Sequence, residues 1–169
     1  MLYYSLCRLN RRRLKATAYQ GNEGKMSSEK KKILFLCTGN SCRSQMAEGW
    51  ARSYYSSNWD VYSAGTHPRD IDPRAIKVMA ETGVDIAGQR SKHMDELIHI
   101  PFDLVVTACD SVVEECPVFP GASRQTHRQF DDPPSLAMES STESEALACY
   151  RRVRDEIRQF VEELLGSGE

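Results

Sequence analysis

The pattern of apolar positions along the chain predicts strands alternating with helices. "KKILFLC" runs apolar from Ile33 to Cys37 without a polar break, the mark of a strand buried on both faces in a parallel sheet. "WDVYSAG" is a second strand closing at Gly65, and "FDLVVTAC" is the most strongly apolar of all, ending at Cys109. A weaker strand is expected in "SRQTHRQF", before a turn at "DDPP". Between them, "SQMAEGWARSYY" from Ser44 has helical composition. "DPRAIKVMAETG" places Asp72 as a cap, Pro73 at the first helical position and Gly83 beyond the end. The last helix opens with Thr142 and Glu145 at capping-box spacing. It continues with Ala146, Tyr150, Val153, Ile157, Phe160 and Leu164 at intervals of three and four, a stripe that packs on the sheet. Ser135 to Ser144 reads as a Ser-rich loop.

Strands alternating with helices imply a parallel sheet with right-handed crossovers, and ligands gather beyond the carboxyl ends of its strands. Cys37 and Cys109 both stand at such ends, so two thiols are expected on one rim of the sheet.

Composition narrows the function. The chain has 169 residues and a formal net charge of −2, enough length for one domain with a hydrophobic core. Near-neutral charge speaks against a nucleic-acid or membrane-surface role, and no apolar run reaches the ~18–20 residues of a membrane helix. Residues 1–25 differ from the rest, with Arg11, Arg12 and Arg13 following "LYYSL", the reverse of a secretory signal. They are expected to be a disordered or non-native extension ahead of Met26, with residues 26–169 forming the domain. The 6 cysteines are unevenly placed, which fits reduced thiols in the cytoplasm better than an exported disulfide framework.

"CTGNSCR" then asks for a chemical explanation. Cys37 and Arg43 frame a C-x5-R pattern between a strand and a helix. A tight loop leading into a helix turns successive backbone N–H groups inward and makes an anion nest from Thr38, Gly39, Asn40, Ser41, Cys42 and Arg43. Gly39 and Asn40 tolerate the positive φ such a turn demands. Arg43 offers a planar fork to two oxygens of a tetrahedral oxyanion, and the same field favours a thiolate at Cys37. Ser44 stands where it can donate to the sulfur. An inert buried cysteine beside a surface arginine would satisfy C-x5-R alone, but not with this strand, helix and Gly-Asn pair around it. Cys42 is expected to serve loop geometry. A thiolate attacking such an anion needs an acid for the departing oxygen, and "FDDPP" offers Asp131 and Asp132.

These residues resemble the low-molecular-weight phosphatase fold and, within it, the thioredoxin-coupled arsenate reductases. The blocks that carry the resemblance are "CTGNSCRSQMAEGW", "VYSAG", "DLVVTACD", "EECPVFPG" and "FDDP", within a span from Ile33 to Leu165. The resemblance implies an α/β three-layer sandwich with a central four-stranded parallel sheet. It implies that Cys37 attacks arsenate, that Asp132, directly before Pro133, protonates the leaving hydroxyl, and that Arg43 and Ser44 assist. Cys109 would then attack Cys37 and release arsenite, Cys116 would attack Cys109, and thioredoxin would reduce the Cys109–Cys116 disulfide. A helix over 109–116 would separate those two Cα atoms by ~10.5 Å, beyond the ~7 Å a disulfide spans, so the segment must unwind on oxidation.

Two departures stand out. Some relatives hold potassium near the loop, and Asn40, Glu48 and Ser63 match part of that site, but Arg90 and Lys92 stand where further oxygen ligands belong. A basic side chain is expected to replace the ion, leaving no tightly bound cofactor. "HRQFDDP" also lacks the aromatic expected before the acid, having Arg128 and Gln129. His67, His93, His99 and His127 have no metal-ligand spacing, and Cys149 reads as packing. The functions in competition are a cytoplasmic, monomeric arsenate reductase, a phosphatase hydrolysing phosphate monoesters, and a thiol sensor or thiol-metal module without turnover. The complete anion loop counts against the last, because a sensor needs no Arg43 fork.

Overall fold

The computed structural model describes residues 29–108 and 118–166. Its strands are β1 (Lys31–Cys37), β2 (Trp59–Gly65), β3 (Leu104–Thr107) and β4 (Gln125–His127), and its helices are α1 (Arg43–Tyr55), α2 (Pro73–Ala80), α3 (Pro133–Met138) and α4 (Glu143–Gly166). The strands form one parallel sheet in the order β2-β1-β3-β4. This is the expected α/β architecture.

The apolar run of β1 is explained by its central position. Ile33 and Phe35 face a core built with Met46 and Trp50 of α1, Val78 and Met79 of α2, and Tyr150, Val153 and Ile157 of α4. Leu34 and Leu36 face the opposite layer with Leu97, Phe102 and Phe119. Burying each large apolar side chain contributes roughly 1.5–3 kcal/mol, so β1 is anchored from both sides up to Cys37. Consecutive strands β1 and β2 pair on one side while β3 pairs on the other, so the sheet reverses its winding direction at the carboxyl end of β1.

Several boundaries differ from the sequence expectation. β3 ends at Thr107, although the Ala108 N–H still bonds the Leu36 carbonyl at 2.7 Å. The stretch read as a turn and Ser-rich loop contains α3, because Asp132 accepts the Ser135 N–H as a cap and Pro133 starts the helix. In α4 the inward stripe passes from Ile157 to Val161 and Leu165, while Phe160 and Leu164 pack at its margin. Steps of four keep a 3.6-residue helix on one face there. The Thr142–Glu145 box forms in both directions, at 3.2 Å each way. A 3-10 turn at Met94–Leu97, capped by His93, has no counterpart in the sequence expectation. Residues 1–25, and with them the expected leader, lie outside the described residues, as do Cys109 and Cys116.

Candidate active site

The chain from Cys37 to Cys42 crosses from β1 to α1 as a short loop held by its own carbonyls. The Cys37 and Thr38 carbonyls accept from Thr66 and His67, Gly39 from Arg69, and Ser41 from Asp72. Gln45 Nε2 takes the Asn40 carbonyl at 2.9 Å. Carbonyls drawn outward along a run of trans peptides turn the following N–H groups to the opposite side. One N–H is committed to sulfur: Asn40 N donates to Cys37 Sγ at 3.2 Å. The rest of this wall needs Asn40 at φ 44, in the left-handed region that Asn tolerates. Gly39 does not share that conformation, contrary to expectation, since the positive-φ glycines among the described residues are Gly83 and Gly121. Its lack of a side chain matters sterically, because a Cβ there would approach Ser41 Oγ to 3.1 Å.

Ser44 Oγ lies 2.9 Å from Cys37 Sγ. Asn40 Nδ2 donates both to Ser44 Oγ at 2.9 Å and to Ser63 Oγ at 2.8 Å. Ser63 in turn donates to Glu48 Oε2, since a carboxylate only accepts. With Asn40 supplying a proton to Ser44, the Ser44 hydroxyl proton is left for sulfur, and Cys37 Sγ becomes an acceptor from two directions. Cys42, the residue before α1, is buried beside Asp72, and burial pushes its thiol well above the ordinary range. The neighbouring loop thiol is thus kept neutral.

Arg43 Nη2 meets Asp132 Oδ1 at 3.0 Å, and Arg43 Nη1 donates to the Phe130 carbonyl at 3.2 Å. The half-buried Asp132 also accepts from Ser135 N and Ser135 Oγ at 3.2 and 2.6 Å. Asp131 points elsewhere, to the exposed Arg152 at 2.8 Å. Of the two acids in "FDDPP", Asp132 is therefore the one brought to the arginine of the loop. Arg128, where an aromatic was expected, lies 5.8 Å from the ring centroids of both Phe130 and Phe160 and backs the acid loop from outside.

Gly65 is the functional position that sequence reasoning missed. It pairs with Cys37 across β1 and β2, and a Cβ there would stand 2.6 Å from the Thr38 carbonyl oxygen and 2.9 Å from Asn40 N. The glycine ending "VYSAG" was visible, but its closeness to the loop depends on strand register.

The potassium-like cluster is occupied by a side chain. Lys92 Nζ donates to the Ser63 and Arg90 carbonyls at 2.8 and 2.9 Å and faces Glu48 Oε2 at 3.8 Å. These oxygens already surround an ammonium. Arg90 instead pairs with Glu96 at 2.7 Å on the surface. His67, His99 and His127 are exposed and His93 is half-buried, and no cluster of three or more His, Cys, Asp or Glu suited to a metal occurs among the described residues. No helix among them is long and apolar enough to cross a membrane.

The model of the low molecular weight phosphotyrosine protein phosphatase family matches residues 32–168. The chain belongs to that family. Within its relatives, an arsenate reductase of Bacillus subtilis is 47% identical over 141 residues, which cover 83% of this chain and 99% of that protein. A solved arsenate reductase in its phosphate binding state superposes with a TM-score of 0.70 at 32% identity, covering 82% of this chain and 99% of the other. A thioredoxin-dependent arsenate reductase of Corynebacterium glutamicum superposes with a TM-score of 0.60 at 28% identity, covering 86% of this chain and 65% of the other. The family expected from the loop and strand motifs is the family found.

Proposed function

We propose that this protein reduces arsenate to arsenite through Cys37, Cys109 and Cys116, with thioredoxin as the electron donor. The observation that carries this reading is the convergence of an acceptor-poised Cys37 sulfur and the Arg43–Asp132 pair, in a chain whose relatives are named arsenate reductases. The Cys37 thiolate attacks arsenic, and Asp132 gives its proton to the departing hydroxyl, which leaves as water. The backbone N–H groups of the loop other than that of Asn40 and the Arg43 fork hold the remaining oxygens, so an arriving anion competes with Asp132 for the fork and brings the acid beside it. Cys109 then attacks Cys37 Sγ, the S–As bond breaks, and its electron pair stays on arsenic as arsenite departs. Cys116 attacks Cys109, frees the Cys37 thiol and leaves a Cys109–Cys116 disulfide for thioredoxin. Two electrons reach arsenic and two thiols are oxidised per turnover. The steps at Cys109 and Cys116 rest on the resemblance.

The family description supports a second reading, hydrolysis of phosphate monoesters by the same Cys37, Arg43 and Asp132. The two part at the covalent intermediate, which water ends in one and Cys109 in the other. In the favoured reading the enzyme is a cytoplasmic monomer that needs no tightly bound cofactor. Arsenate-dependent NADPH oxidation with thioredoxin and its reductase tests it, comparing wild type with Cys116→Ser. The variant is expected to lose multiple turnover while keeping any ester hydrolysis. Equal turnover would remove Cys116 from the mechanism, and ester hydrolysis without arsenate turnover in wild type would select the second reading.

A further inference from the structure

Beyond the chemistry of Cys37, the cluster on its flank has a purpose of its own. Lys92 leaves the chain next to Ser91, whose hydroxyl reaches the Gly39 carbonyl at 3.4 Å, and its own N–H donates to Asn40 Oδ1 at 2.9 Å. Its side chain turns inward, 12% exposed, and ends on the Ser63 and Arg90 carbonyls. Backbone carbonyls and a carboxylate around one compact positive charge are the surroundings of a small monovalent cation, here met by an ammonium on a tether. Glu48 is 2% exposed and is already held by Arg52 at 2.7 Å, so Lys92 adds a second positive group at a buried acid.

We propose that Lys92 is a built-in cation that takes the place of a bound monovalent ion and is a positioning residue for Cys37, acting through Ser63 and Asn40. The route consists of named bonds. Lys92 Nζ fixes the Ser63 backbone, and Ser63 Oγ, held by Glu48, receives Asn40 Nδ2. Asn40 then aims its amide at Ser44 and its backbone N–H at Cys37 Sγ. The Lys92 N–H grips the other end of the Asn40 side chain. Asn40 is therefore held at Oδ1 by the segment that carries the cation and at Nδ2 by Ser63, whose backbone that cation fixes, and its positive-φ conformation is held with it. This arrangement serves an anion loop whichever anion the loop takes.

The test uses the full chain, wild type and Lys92→Ala, in tetramethylammonium chloride and in potassium chloride at equal ionic strength. One readout is thermal melting. The other is the rate of Cys37 alkylation by iodoacetamide at fixed neutral pH, followed on the Cys37 peptide by mass spectrometry. Wild type is expected to melt and react alike in both salts. Lys92→Ala is expected to alkylate about three- to tenfold more slowly in tetramethylammonium, the loss of roughly one charge-supported hydrogen bond, and to recover in potassium. Potassium-specific stabilisation of wild type would overturn the proposal without need of any variant. Wild-type reactivity in folded Lys92→Ala would reduce the lysine to a packing element, and failure of potassium to restore a slowed variant would refute its role as a cation surrogate. Neither readout requires arsenate or thioredoxin, so a failure here is distinct from a failure of the arsenate reading.

Discussion

Replacing Gly65 by alanine adds one methyl group and places it against loop backbone. The methyl would meet the Thr38 carbonyl oxygen at 2.6 Å, Asn40 N at 2.9 Å and Asn40 Cβ at 3.0 Å. Ordinary contact begins near 3.4 Å, so β2 and the loop must part by about 0.8 Å. Neither side yields cheaply. Gly65 is paired with Cys37 in the sheet, and its N–H bonds the Lys92 carbonyl at 2.9 Å. The Thr38 carbonyl is engaged by His67 N at 2.8 Å. Overpacking of this kind costs about 1–3 kcal/mol, which for a domain of this size lowers Tm by roughly 3–12 °C. The catalytic effect should be larger. A displacement approaching 1 Å in a cradle of N–H groups costs roughly 30- to 100-fold in kcat, because those donors must meet the oxyanion at fixed geometry. Steady-state rates with arsenate, alongside thermal melts and circular dichroism, separate the two effects. A Gly65→Ala protein that melts several degrees lower yet keeps kcat within about twofold would refute the reasoning. It would mean that the sheet absorbs the methyl without moving the loop.

Other predictions follow from the same contacts. Asp132→Asn is expected to lower kcat by about 10²–10⁴ with the fold intact, because the side chain at Arg43 can no longer supply a proton. Asp131→Asn breaks an exposed pair with Arg152 and should leave kcat within about threefold; the reverse ranking would exchange their roles. Limited iodoacetamide at mildly alkaline pH should label Cys37 and spare Cys42, since burial keeps the Cys42 thiol protonated as pH rises through the range where ordinary thiols ionise. Peptide mapping showing comparable labelling of both would contradict that burial.

The fold was legible where one physical constraint dominates. β1 reads as an unbroken apolar run because Ile33 and Phe35 meet one layer and Leu34 and Leu36 the other. α2 and α4 announce their starts through local bonds, Asp72 to the Arg74 N–H and the Thr142–Glu145 box. α3 uses the same grammar as α2, an aspartate followed by proline, yet the Ser-rich stretch after it obscured the helix. The loop was legible as chemistry because cysteine, arginine and serine sit within a few residues of one another. Gly65 and Lys92 were harder, for their partners are set by strand register and by a contact from Lys92 back to Ser63, 29 positions apart. The residues alone left Asp131 and Asp132 open and the resemblance chose Asp132; what the sequence does not carry is the direction in which each side chain leaves the turn, Asp132 toward Arg43 and Asp131 toward Arg152.

Asn40 shows why those distant contacts matter to the loop. Glycine would adopt a φ of 44 with less strain and is the ordinary residue for such a turn. It would also remove the amide that reaches Ser44 and Ser63 and the oxygen that receives the Lys92 N–H. Those bonds are buried or partly buried, and leaving partners such as Ser63 Oγ and the Lys92 N–H with fewer bonds costs about 1–3 kcal/mol for each group unsatisfied, comparable to the strain they offset. An asparagine is therefore retained at a position whose backbone alone would favour glycine. The consequence is directional: the conformation that aims Asn40 N at Cys37 Sγ is maintained by Ser63 and Lys92. The sulfur's environment is thus built as much by β2 and the 90–92 segment as by the loop in which Cys37 lies.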